Sequence, residues 1–152
     1  MAAEIDIDDL VRQGVAVIVA TRDGASRPEL SRAWAPALSD DGGRLTVCVE
    51  AAADSAMARN LEAGSPVAAT LARLASHTTV QLKGPVVEIA TPTQERLDAV
   101  TDHVDGFVAE TAAVGVPESI ARALVGPDLL TVTIAVAERF DETPGAGAGS
   151  RL

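Results

Sequence analysis

The chain has a single cysteine, Cys48, in 152 residues. One thiol excludes an internal disulfide framework and the paired-cysteine zinc sites. Its place in "RLTVCVE" is that of a small hydrophobe in a strand. Aromatic residues are nearly missing: no tyrosine, one tryptophan and two phenylalanines, 2% of the chain against 47% hydrophobic. The core must therefore be packed from Val, Leu, Ile and Ala. Alanine-rich packing buries little area per residue, so a second subunit would add to it. Lysine is also scarce. Lys83 is the only one among 12 basic residues, which face 22 acidic ones for a net charge of −10. Such a surface repels phosphate backbones and makes nucleic acid a poor partner. A phosphate-bearing ligand would need a local group of cations.

Other signals are missing too. No run approaches the roughly 18 apolar residues of a spanning helix, and the acidic opening "MAAEIDIDDL" is unlike a secretory or transit peptide. The expectation is a cytoplasmic protein with no membrane partner. No G-x-S-x-G elbow, P-loop or G-x-G-x-x-G is present, which removes support for a serine hydrolase or a nucleotide fold. His77 and His103, the only imidazoles, lack metal-ligand spacing and read as structural or solvent-facing groups. No metal is expected.

What is present reads as one domain. A short helix is expected over residues 6–13, with Leu10 and Val11 inward. "GVAVIVATRDG" is a strand closed by the hairpin signal Asp23-Gly24, "RPELSRAWAPALSDDGG" its return, and "RLTVCVEA" a third strand. "ADSAMARNLEAGS" changes to a helical period, capped by Asp54 or Ser55 and ended by Gly64. "PVAATLAR" and "TTVQLKGPVVEIA" give two more strands. In "TPTQERLDAVTDHVDGFVAETAAVG", Thr91 and Gln94 have capping-box spacing, Pro92 sits at the first helical position, and Leu97, Val100, Val104, Phe107 and Val108 form one stripe. "VPESIARALVG" is a further helix and "DLLTVTIAVAERF" a last strand. Residues 1–140 form the domain, and the Gly-rich tail 141–152 cannot pack by itself, so disorder is expected there, the alternative being that Thr143 to Gly149 fold over a partner subunit's cleft as a lid. Six antiparallel strands in this length favour a small barrel, because closure removes edges.

Three groups of residues stand out. Arg32 and Trp34 share one strand face, where smaller apolar residues would make a simpler core. That face is expected to look at a ligand or a second subunit. Thr79, Gln81 and Lys83 form a polar strand face; a solvated edge is the plainer alternative. Ser55, Arg59 and Asn60 sit at a helix start, where free N–H groups favour an anion, simple capping being the alternative. One economical explanation joins them: a phosphate-bearing planar ligand lying across strand backbones.

The order of elements and the strings "GVAVIVATRDGASRPELSRAWAP", "RLTVCVEAAADSAMARNLEAGSPVAATL", "TTVQLKG" and "DETPGAGAG" resemble the pyridoxamine 5'-phosphate oxidase-like FMN-binding split-barrel family, in particular its small single-domain members. The resemblance runs from about Val15 to the C-terminus. It implies a mainly β fold with helices, a six-stranded antiparallel split β-barrel, homodimeric, with FMN in clefts at the subunit interface. It also implies that Arg32, Ala33 and Trp34 run along the ring, that Val49 and the helix start around Ser55 approach the phosphate, and that Thr79, Gln81 and Lys83 line the cleft. Two departures are visible. Ala56 and Met57 stand where relatives that hold FMN strongly place Arg or Lys, and the C-terminal segment of the true vitamin oxidases is missing. The expected function is a flavin-dependent oxidoreductase whose substrate is a small molecule and not pyridoxamine phosphate. The alternatives are a deazaflavin-dependent reductase and a non-catalytic dimeric binding module that has lost flavin.

Overall fold

Strand β1 (Ala16–Arg22) buries Val17 and Val19 and leaves Ala16, Ile18 and Ala20 half-buried, the period-two pattern of its sequence. In the computed structural model, which describes residues 4–152, it is the first strand of a barrel. The first three residues of the domain, and with them part of the reading of the acidic opening, lie outside the described residues.

Asp23 turns the chain by accepting from the backbone N–H groups of Ala25 and Arg27, and β2 (Pro28–Leu38) returns beside β1. β3 (Arg44–Glu50) follows a turn in which Gly42 takes the left-handed conformation (φ +67°). β4 (Pro66–Ala72), β5 (Thr79–Ala90) and β6 (Leu129–Ala135) complete the set. The hydrogen-bonded order β4-β1-β2-β3-β6-β5, with β4 also paired to β5, closes a six-stranded antiparallel barrel. β5 spans twelve residues and changes neighbour along its length: it pairs with β4 over 79–85 and with β6 over 86–90, with an irregularity between Val86 and Glu88. Gly84 is required at that crossing, since a Cβ there would stand 1.6 Å from the Ala135 carbonyl oxygen. The interior is aliphatic, built around Leu45, Leu71, Leu82, Ile134 and the inward valines.

Helix α1 (Ile7–Val11) is capped by Asp6 and α2 (Ala56–Asn60) by Ser55; Met57 and Leu61 plug one end of the barrel. α3 (Gln94–Ala112) lies across the outside of β2. Its cap is Thr93, so Thr91 makes no capping box and Pro92 precedes the helix. α4 (Glu118–Ala123) packs on α3. Between these helices and the barrel wall lies a second core: Trp34, Ala35, Cys48, Val100, Val104, Phe107 and Ala121. None of these helices is long and apolar enough to cross a membrane.

Two further sequence expectations change. The last strand breaks at Val136 and Ala137, whose N–H groups bond to Gly43 and Lys83 respectively. The chain thereby changes neighbour and continues as β7 (Glu138–Asp141), paired to β5. The Gly-rich tail is also ordered. It returns as β8 (Ser150–Arg151) on β7, through a turn with Gly145 and Gly149 at positive φ, and Thr143 Oγ1 accepts from Thr79 N. Pairing to β5 supplies what the tail's own composition lacks.

Candidate functional site

On the outer face of β2, β1, β4 and β5, residues pair strand to strand beyond the part that α3 covers. They stand in cross-strand rows. One row runs Arg32, Ile18, Thr70, Gln81; the next Leu30, Ala20, Ala68, Lys83; a third Ala16, Ala72, Thr79. At one strand spacing per step, Arg32 and Gln81 lie about 14 Å apart along the sheet. Small residues floor the centre and polar groups sit at the sides. Gln81 Nε2 donates to Thr70 Oγ1 at 3.0 Å, and Lys83 Nζ lies 4.8 Å from the centre of the Phe140 ring. Arg32 makes no hydrogen bond or ion pair among the described residues. Leu30 is 65% exposed.

So the structure brings together Arg32, Thr79, Gln81 and Lys83, four of the residues singled out from sequence. It separates the others from them. Ala33 and Val49 pair across β2 and β3 with side chains inside the barrel. Trp34 shares the outer side with Arg32 but is 1% exposed, packed edge-on against Phe107 and His103. Its ring faces α3 of its own chain rather than a cofactor or a subunit seam. The helix-start group is a third place, at the barrel end. There Ser55 Oγ accepts from Ala58 N, Arg59 donates to the Asp54 carbonyl and Asn60 donates to Thr21 Oγ1. All three side chains are engaged, and the helix is only five residues long, so capping accounts for Ser55.

Sequence reasoning missed the contacts that α3 makes with Ala35. This residue has φ +51° at the point where β2 and β3 lose register, between Trp34 and Ala37. The bulge turns two consecutive residues, Trp34 and Ala35, outward. Both backbone groups of Ala35 are held from α3: its N–H donates to His103 Nδ1 at 3.1 Å and its carbonyl accepts from Arg96 Nη2 at 2.5 Å. Burial pushes the His103 pKa down to about 4, partly countered by the Val15 carbonyl beside it. The imidazole is therefore neutral at pH 7. The seven-residue spacing of Arg96 and His103, two helical turns, was the available signal, because it puts both on one helix face.

No family model matches the chain, and no curated relative matches it. Solved structures do. The architecture is that of the split barrels of the pyridoxamine 5'-phosphate oxidase type. An F420 reductase is similar at 16% identity and a TM-score of 0.59, covering 87% of this chain and 94% of the other. A Clostridium acetobutylicum protein related to general stress protein 26, of the pyridoxinephosphate oxidase family, is similar at 15% and 0.52, over 88% and 82%. The heme storage protein HutZ from Vibrio cholerae is similar at 15% and 0.52, over 93% and 95%. At these identities the likeness is one of fold.

Proposed function

We propose that this chain is a flavin-binding oxidoreductase of the split-barrel type, working as a homodimer on a small-molecule substrate, with FMN as the cofactor. The observation that carries the reading is this outer face, with Arg32 free of any partner within the described chain. A planar ring can lie on a floor of Ile18, Ala20, Ala68 and Ala72, where no long side chain stands in the way. Leu30 and Ile18 on the same face give a second copy of the chain apolar surface to cover. The residues present fit an anionic planar group. Arg32, Lys83 and, at the end of β1, Arg22 are cations on this face, and they can offset the desolvation of a phosphate or place positive charge beside the polar edge of the ring. Bound flavin supplies hydride transfer, while the protein orients the ring and shapes the substrate pocket. No acid–base dyad is needed from the chain.

One observation favours a second reading. At the turn, Ser55 caps the helix, one Arg59 N–H is given to the Asp54 carbonyl, Asn60 donates to Thr21, and Met57, where relatives carry a cation, is buried in the barrel end. A chain with Ala56 and Met57 at those positions fits a deazaflavin-dependent reductase, or a non-catalytic dimeric module for another planar ligand. F420 reductase and heme storage proteins share the fold.

The deciding experiment is a visible absorption spectrum after incubation with FMN and desalting. A retained flavin band that weakens in Arg32→Ala and in Lys83→Ala is the expected result. A colourless protein that binds deazaflavin or heme instead supports the second reading. Light scattering behind gel filtration reports the dimer.

A further inference from the structure

The C-terminal hairpin extends the proposed ligand face by two strands. Gln81 pairs with Phe140 and Phe140 with Arg151, so the row Arg32, Ile18, Thr70, Gln81 continues across β7 and β8. The row that ends in Lys83 continues to Glu138 in the same way. A cavity of about 510 Å³ lies on this face, and its charged lining residues are Arg22, Lys83 and Glu138.

Lys83 and Glu138 stand directly opposite each other, where opposite charges attract. The two do not pair. Glu138 Oε1 instead accepts from Arg151 Nη2, and Lys83 Nζ makes no hydrogen bond or ion pair among the described residues. The Lys83 ammonium lies over the Phe140 ring, 4.8 Å from its centre, and the Arg151 guanidinium is 5.7 Å from the same centre. A ring face holds a cation through its quadrupole and takes none of the ammonium's N–H donors. Lys83 is thus fixed in place with its donors unused. The one acid in the cavity lining is engaged by a residue of the tail.

We propose that Phe140 and Arg151 are positioning residues for Lys83: the ring fixes the ammonium and the guanidinium withholds Glu138 from it, which leaves Lys83 free to meet an anionic group in the cavity. The inference rests on the flavin reading only for the identity of that anion, which is then FMN. Without Arg151, Glu138 would take Lys83 as its partner and compete with the ligand.

FMN affinity of the full chain is compared at constant ionic strength in Arg151→Ala, Glu138→Gln and the double variant; both side chains are exposed, so the fold should be kept. Arg151→Ala should weaken FMN by about two- to fivefold, the range of an exposed ion pair. Glu138→Gln alone should change it little, and added to Arg151→Ala it should restore binding. An equal gain from Glu138→Gln in both backgrounds would mean that only overall charge matters, and overturns the proposal. A second measurement needs no ligand. Lys83 is the only lysine, so isotope-labelled lysine gives one set of side-chain NMR signals. Its ε-methylene protons should be shifted upfield by the Phe140 ring. Phe140→Leu should abolish that shift, and Arg151→Ala should move the signals in a way that Glu138→Gln reverses. Unshifted protons that neither variant moves overturn the proposal. If FMN fails to bind while the lysine signals respond as expected, the flavin reading falls and the positioning of Lys83 stands.

Discussion

The indole N–H of Trp34 donates to Glu50 Oε1 at 2.8 Å, and the same oxygen accepts the backbone N–H of Gly126 at 2.8 Å. One carboxylate thus ties the middle of β2 to the end of β3 and to the loop entering β6, while Ser31 Oγ donates to the Glu50 backbone carbonyl. Trp34→Phe keeps most of the ring's packing but removes the donor, and should lower stability by about 1–3 kcal/mol. Trp34→Ala should cost about 3–5 kcal/mol through the cavity it leaves. Denaturant midpoints at unchanged slope check both; equal costs would mean that the hydrogen bond contributes nothing.

Arg32→Ala removes a side chain with no partner in the described chain, so its melting temperature should stay within about 2 °C of the parent. Its FMN affinity should nevertheless fall by about tenfold or more if Arg32 meets the phosphate. Thermal shift with and without FMN separates the two effects. A large loss of stability without ligand would show an intrachain role instead.

Gly14 and Gly106 bring the segment before β1 and helix α3 into backbone contact. A Cβ on Gly14 would lie 2.1 Å from the Gly106 carbonyl carbon, whereas one on Gly106 would lie 3.2 Å from the Gly14 Cα. Gly14→Ala must push α3 off the barrel and should cost more than about 3 kcal/mol. Gly106→Ala should be milder. Similar midpoints for the two variants would show that the helix shifts freely.

His103 makes stability depend on acidity. Its pKa falls from 6.5 to about 4 on folding, so the unfolded chain binds the extra proton first. The contribution is intact above pH 6.5 and is lost as pH falls toward 4, at up to about 1.4 kcal/mol per pH unit and about 3 kcal/mol in all. Protonating Nδ1 also removes the acceptor for the Ala35 N–H. Hydrogen bonds, chiefly from Arg27 and Ser39 respectively, lower the pKa values of the Asp23 and Asp41 carboxylates, which moves their effect to the acid side. Unfolding between pH 4 and 6.5 should therefore flatten in His103→Asn, and an unchanged slope would place the effect elsewhere.

Much of the barrel was legible because its strands alternate cleanly. "TTVQLKGPVVEIA" coincides with β5 but for one residue, and the valines of β1 face inward as their spacing requires. The helix between β3 and β4 and the helical pair before β6 were legible from caps and periods. Three things were not. A one-residue bulge at Ala35 changes which side chains face outward, and no local composition announces it, since alanine at positive φ is an exception. The fate of Trp34 depends on a helix some seventy residues further along the chain. The order of the tail depends on β5, whose edge it pairs with. Each is a long-range relation, invisible to a window sliding along the sequence.

The hairpin of β7 and β8 has a practical meaning for anyone handling this protein. β8 is two residues long, lies at the outer margin of the sheet, and ends where Leu152 N bonds to the Arg139 carbonyl. Residues fused after Leu152, such as a purification tag, would extend that strand along β7 and turn a blunt margin into a longer template for chain-to-chain pairing. They would also crowd Phe140 and, through it, Lys83. Tag placement is thus a structural variable in any assay of this protein.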